Sequence, residues 1–123
     1  MAANILVVED DRLNRDLICK VLRKEGHRVV EACDGAIALE IVQVLAFDLV
    51  ITDFMMPKLN GLKLTQYLHF LRPEIPVIFM TAYLSGNTKK KMLQEAAEVL
   101  SKPFKLDVLS SAIQLLLRDS QLA

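Results

Sequence analysis

Short runs of Val, Ile and Leu alternate along this chain with stretches of helical spacing, and four of the runs end in a polar residue able to do chemistry. Ile5-Leu6-Val7-Val8 runs into Glu9-Asp10, Leu49-Val50-Ile51 into Thr52-Asp53, Val77-Ile78-Phe79-Met80 into Thr81, and Val99-Leu100 into Ser101-Lys102. Continuous apolar runs between helical patterns predict buried parallel strands, because a strand covered on both faces has no reason to alternate with polar residues. A further strand, Arg28 to Ala32, alternates weakly and carries Arg28 and Glu31, as suits a position near a sheet edge.

The segments between these runs have helical periodicity. Leu13, Leu17, Val21 and Leu22 form the first stripe, and Gly26 stands where a helix stop needs a left-handed residue. Asp34-Gly35 turns the chain into a second helix with Ala38, Ile41, Val42 and Leu45 on its inner side. The loop Met56-Pro57-Lys58-Leu59-Asn60-Gly61 leads into a third, marked by Leu64, Tyr67, Leu68 and Leu71. A weaker fourth, around 86 to 96, has only Met92, Leu93, Ala96 and Ala97, and the last, from 105 to about 118, has Leu106, Leu109, Ile113, Leu116 and Leu117. Alternating strands and helices with right-handed crossovers predict an α/β fold, a doubly wound five-stranded parallel sheet with helices on both faces. All carboxyl ends of such a sheet share one edge, where open α/β sheets bind ligands. Glu9, Asp10, Asp53, Thr81 and Lys102 are therefore expected to converge there.

A length of 123 residues with 53% hydrophobic composition suits one core, so residues 1–123 read as a single domain. Fifteen basic and fifteen acidic residues cancel, which removes any overall electrostatic drive towards nucleic acid or an anionic membrane. The basic run Lys89-Lys90-Lys91 reads as a solvated helix face. Cys19 and Cys33 lack metal-ligand or redox-motif spacing and read as buried or half-buried thiols of a reducing compartment. With no signal-peptide pattern and no apolar run near the ~18 residues of a membrane span, the expected location is the cytoplasm.

Adjacent carboxylates at a strand end, Glu9-Asp10, suit a hard cation such as Mg²⁺, yet taken alone they serve equally well as helix-capping acids. Asp11 is the expected cap. Asp53 ends a strand expected to be central, a poor place for a charge without a partner. Three carboxylates at one edge repel one another, and Mg²⁺ with Lys102 balances them, leaving a site that attracts a phosphoryl group while a carboxylate attacks phosphorus. Thr81 alone is an ordinary strand-end Thr, and Lys102 alone a surface Lys at a turn; their joint position carries the argument. His27 and His69 have no partner at ligand spacing, and no nucleotide-binding, serine-hydrolase or zinc-protease motif occurs.

Taken in order, Ile5-Leu6-Val7-Val8-Glu9-Asp10-Asp11, Asp53 followed by Met56-Pro57 and Gly61, Thr81-Ala82, and Lys102-Pro103-Phe104 resemble the receiver domain of two-component response regulators, over nearly the whole chain. The resemblance implies a flavodoxin-like sheet of order 2-1-3-4-5. It implies that Asp53 is the phosphoacceptor, that Glu9, Asp10, Asp53 and the Met55 carbonyl hold Mg²⁺, and that Thr81 and Lys102 contact the phosphoryl group. It implies a signalling domain rather than an enzyme, with a sensor histidine kinase or phosphotransfer protein as donor. A downstream effector or output domain, or a dimer, would use the face of helix four, strand five and helix five, with no direct nucleic-acid binding by this domain.

Two positions depart from the family pattern. Val99 stands three residues before Lys102, where a switch aromatic is usual, and Glu95-Ala96 replaces a common Gly-Ala pair. The expected readout therefore runs through Thr81 and the loop 82–87, with Tyr83 as the mobile ring. In the family this chain resembles, the positions two residues beyond the acceptor Asp and the strand-end Thr flank the path of an attacking water, and their occupation here by Met55 and Tyr83 implies a long-lived aspartyl phosphate. The Lys102-Pro103 peptide is expected to be cis, since the chain turns sharply there. The rivals are a pseudo-receiver acting as a constitutive interaction module, and a Mg²⁺-dependent phosphatase, which would want a general acid where Met55 stands.

Overall fold

The computed structural model describes residues 2–56, 58–82 and 86–122. Its elements follow one another as β1 (Asn4–Val8), α1 (Arg12–Lys24), β2 (Arg28–Ala32), α2 (Gly35–Val44), β3 (Leu49–Asp53), α3 (Gly61–Leu71), β4 (Val77–Thr81), α4 (Gly86–Leu93), β5 (Glu98–Ser101) and α5 (Leu106–Leu122). The strands form one sheet in the order β2-β1-β3-β4-β5, every pair parallel. This is the doubly wound order expected from the sequence.

Successive residues of each strand point to opposite faces, and each face has its own core. Leu6, Val8, Val50, Val77, Phe79 and Val99 join Ala38 and Val42 of α2, Leu64 and Leu68 of α3, and Met92 of α4. Ile5, Val7, Leu49, Ile51, Ile78, Met80 and Leu100 join Ile18, Cys19 and Leu22 of α1 and Leu109, Ile113 and Leu117 of α5. β1 and β3 are neighbours, but the chain leaves them towards opposite faces. Their carboxyl ends therefore border a crevice, and that is where ligands fit in such sheets.

Local chemistry sets the element ends. Asp11 caps α1 by accepting the Asn14 N–H at 3.4 Å, Asp34 caps α2 through the Ile37 N–H at 2.8 Å, and Asn60 caps α3 through the Lys63 N–H at 2.9 Å. Gly26 ends α1 with φ near +94°, a conformation costly to any residue with a Cβ. Gly61 is required for a different reason: a Cβ there would stand 2.2 Å from the Asp53 carbonyl oxygen. The Lys102-Pro103 peptide is cis, as expected.

The structure corrects several helix faces. Leu13 and Leu17 do not face the core: they are 79% and 51% exposed, and α1 turns Ile18, Cys19 and Leu22 to the sheet. The apolar stripe is wider than the buried one, and periodicity cannot say which half meets the sheet. Tyr67 and Leu71 of α3, Leu45 at the end of α2, and Leu93 of α4 are likewise exposed, as are Ala97 and Cys33. α4 ends at Leu93 rather than near 96, because the Ala97 N–H bonds the Val77 carbonyl and leads the chain into the sheet. α5 continues beyond 118 to Leu122.

One histidine ties the first strand to the α1–β2 turn. His27 Nδ1 accepts the Ala3 N–H at 3.2 Å, and burial holds its pKa below the ordinary value. The neutral ring is the one that fits, so the stability it contributes is present above the unfolded-state value of 6.5 and is lost as pH falls through the lower folded-state value. Urea midpoints measured between about pH 7 and 5 are expected to fall less steeply in His27→Gln than in the parent. Parallel pH profiles for the two would contradict this role.

Candidate functional site

Every strand that ends at the crevice delivers one polar side chain to it. Glu9 directly follows β1 and is fully buried, while Asp53 and Thr81 are the last residues of β3 and β4 and are 4% and 3% exposed. Lys102 follows β5, and its backbone N–H donates to the Thr81 carbonyl at 2.7 Å, which fixes the start of its side chain against β4. The ammonium reaches back across the edge. Nζ lies 2.9 Å from Glu9 Oε1 and 2.5 Å from Asp53 Oδ1. The second oxygen of Glu9 accepts the Asp11 N–H at 3.3 Å.

Carboxylate oxygens of Glu9, Asp10 and Asp53 all lie within 4.8 Å of one another. A cavity of about 200 Å³ opens above them, lined also by Asp11, Met55, Met80, Thr81, Ala82 and Lys102. The donors are oxygen atoms without sulfur or imidazole, which is the donor chemistry of a hard divalent cation. The acidic group fits such an ion: two of its members are buried, and Asp10 is exposed at the cavity rim.

The electrostatics follow from crowding. Burial pushes the Asp53 carboxyl up to about 8, helped by the hydrogen bond with Glu9 and opposed by Lys102. For Glu9 burial acts in the same upward sense, but hydrogen bonds from Asp53 and Lys102 outweigh it and its pKa falls. Burial would lower that of Lys102; hydrogen bonds to Asp53 and Glu9 outweigh it, and the ammonium stays charged. Near neutral pH, one proton thus remains between the two buried carboxylates, mainly on Asp53. A divalent cation held by Glu9, Asp10 and Asp53 would supply positive charge in place of that proton.

Glu9, Asp10, Asp53, Thr81 and Lys102, expected at one sheet edge, line one cavity together with Met55. Val99 is not part of it; it is buried in the core on the α4 side of the sheet. Tyr83 and residues 84 and 85 of the loop 82–87 expected to carry the switch lie outside the described residues. Two contributors escaped the sequence reading. Arg15 Nη1 donates to the Glu9 carbonyl at 2.8 Å, and the only signal for it in the sequence is a cation on the helix one turn after the acidic pair. The other is a groove of about 390 Å³ beside the site, lined by Leu17, Ile18, Pro103, Phe104 and Leu106 and sharing Glu9, Ala82 and Lys102 with it.

Residues 5–114 match the model of the response regulator receiver domain. Over 100 residues, or 81% of this chain and 44% of the relative, the sequence is 40% identical to the uncharacterized transcriptional regulatory protein YbdJ of Bacillus subtilis. It is 36% identical over 110 residues to the sensor histidine kinase RcsC of Salmonella typhimurium, covering 89% of this chain and 12% of that one. The chain spans about half or less of the length of the curated relatives it matches. Among solved structures, the response regulator TrrA of Thermotoga maritima in complex with Mg²⁺-BeF superposes with a TM-score of 0.83 at 31% identity, covering 92% of this chain and 97% of that one.

The raised pKa of Asp53 has a consequence for stability. A carboxyl with a folded-state value of about 8 against 3.8 favours folding below pH 3.8, and that contribution is lost as pH rises through about 8. In metal-free buffer, Asp53→Asn is therefore expected to be more stable than the parent at neutral pH, by on the order of 1 kcal/mol or more. The gain should grow from pH 4 towards about 8 and level off beyond it. Thermal melts with a chelator present measure it; a variant less stable than the parent at pH 8 would contradict the assignment.

Proposed function

Because the chain belongs to the response regulator receiver domain family, a family of signalling domains rather than classical enzymes, we propose that it is a phosphoacceptor whose acceptor is Asp53. The observation that carries this reading is the Lys102 ammonium held between Glu9 and Asp53 in an otherwise acidic cavity. Glu9, Asp10, Asp53 and the carbonyl of Met55 would hold Mg²⁺, which when bound neutralises oxygens of the incoming phosphoryl group. The three carboxylates that would hold the ion are balanced by it and Lys102, which reduces the repulsion of an anionic phosphoryl group.

The residues divide the reaction among them. An Asp53 carboxylate oxygen attacks phosphorus in line with the phosphohistidine nitrogen of the donor; the new O–P bond forms as the N–P bond breaks, and the imidazole leaves. Lys102 passes from the free carboxylate to a phosphoryl oxygen and stabilises its charge. Thr81, at the end of β4, donates its hydroxyl to another phosphoryl oxygen and so passes the change to the segment after it. Val99 is buried and carries no ring to swing, so the readout runs through Thr81. Met55 stands exposed at the cavity rim with only a weak thioether acceptor for water, which favours a long-lived aspartyl phosphate.

A sensor histidine kinase or phosphotransfer protein is the donor, and the kinase relative that contains a segment like this one supports that class of partner. The donor must bring phosphorus to Asp53, so it must rest on the rim of the cavity. The apolar groove between α1 and the segment after β5 is continuous with that rim and includes exposed Leu17. Relatives named as transcriptional regulators support a downstream output domain. A dimer or effector contact through α4, β5 and α5 would use exposed Leu93, Val108 and Leu115. Among the described residues no helix is long and apolar enough to cross a membrane.

Incubation with acetyl phosphate and Mg²⁺ is expected to add one phosphoryl group, located on Asp53 by mass spectrometry, and chelation or Asp53→Asn should abolish it. Unlabelled parent protein would instead mark a pseudo-receiver, a constitutive interaction module. The donor surface has its own test. Leu17→Glu should slow transfer from a phosphorylated donor protein by about tenfold or more while acetyl phosphate still labels at the parent rate, because only the former needs the groove. Equal slowing with both donors would place the defect in the site itself.

A further inference from the structure

We infer that Arg15 is a positioning residue for the acidic pair, holding the turn that presents Glu9 and Asp10 and tethering it to edge strand β2. The inference rests on the phosphoacceptor reading above and adds a residue to it. Arg15 lies in the first turn of α1, and its side chain is only 16% exposed. Both edges of its guanidinium are engaged. Nη1 donates to the Glu9 carbonyl at 2.8 Å, and Nε donates to Glu31 Oε1 on β2 at 3.3 Å. The other oxygen of Glu31 accepts from Arg23 Nη2 at 3.2 Å, so the carboxylate that anchors Arg15 is itself anchored.

The Glu9 carbonyl belongs to the peptide that joins Glu9 to Asp10. Fixing its direction sets the plane of that peptide, and with it the starting points of both carboxylates. The Glu9 N–H is held by the Ala32 carbonyl at 3.1 Å, so Arg15 completes the restraint on the backbone of this residue. Only Glu9, Asp10 and Asp11 separate β1 from α1, and beyond Val8 there is no continuing β1–β3 register to do this work. Groups that orient the ligands of a metal without touching it commonly change its affinity by tenfold or more.

The sign of the effect distinguishes this role from simple electrostatics. A cation near an acidic cluster repels a divalent ion, so charge alone predicts that removing Arg15 tightens Mg²⁺ binding. Positioning predicts the reverse. Isothermal titration of Mg²⁺ into the full chain is expected to show binding weaker by about tenfold in Arg15→Met. Arg15→Lys, able to hold only one of the two partners, should fall between. Acetyl phosphate labelling of Arg15→Met should recover at saturating Mg²⁺, since the defect lies in holding the ion. Arg15→Met that binds as tightly as the parent, or more tightly, overturns the inference. Should that variant fail to fold, Arg15→Gln takes its place: it also removes the cation, so charge alone again predicts tighter binding, whereas loss of the link between the Glu9 carbonyl and Glu31 should weaken Mg²⁺ binding severalfold, and affinity equal to or above the parent's overturns the inference as well. A parent protein that binds no Mg²⁺ would overturn the phosphoacceptor reading itself.

Discussion

Burying two carboxylates side by side is the constraint around which this structure is arranged. Glu9 and Asp53 lie almost wholly out of water at the centre of the sheet edge, and ionised neighbours at that depth would cost several kcal/mol. The fold holds them because Lys102, 93 residues from Glu9, bridges both and because a proton stays on Asp53. Such an arrangement is poised rather than satisfied. The buried trio Glu9, Asp53 and Lys102 needs one proton to balance its charge, a proton that a divalent cation would displace, and a lysine shared by two carboxylates can be drawn away by a third anion.

The topology is what makes this crowding possible. β1 and β3 are adjacent but send their helices to opposite faces, which leaves a crevice at their carboxyl ends. Around that gap the restraints are unusually close. Gly61 packs where a Cβ would strike the Asp53 carbonyl, the Lys102 N–H is bonded to the end of β4, and Asp11 both caps α1 and donates its N–H to Glu9. A site built on strand ends and short turns keeps its groups within the tolerance that phosphoryl transfer demands. The groove beside it is apolar, and the two together give a donor something to recognise and something to react with.

Much of this was legible in the chain, and the reasons are physical. Strands buried on both faces must be apolar throughout, so β1, β3 and β4 announce themselves as runs of Val, Ile, Leu and Met. Parallel strands put their carboxyl ends on one edge, so strand direction alone brings Glu9, Asp53 and Thr81 together. Asp11, Asp34 and Asn60 cap helices because their short side chains reach orphan N–H groups within their own turn, an interaction that is local by nature.

What remained hidden depends on distances between groups far apart in sequence. Which half of the stripe on α1 meets the sheet is decided by how the helix lies across β1, β2 and α5, and so Leu13 and Leu17 are exposed while Ile18 and Cys19 are buried. The protonation of Asp53 depends on burial and on two partners brought by other strands, and Arg15 found the Glu9 carbonyl only because β2 placed Glu31 beside it. The sequence by itself determined the elements, their caps and the edge where chemistry gathers, because periodicity, capping and strand direction are short-range properties. Tertiary structure alone decided which helix face is buried, which acid keeps its proton and which cation holds the turn, because those outcomes depend on packing and on Coulomb interactions through a partly desolvated interior.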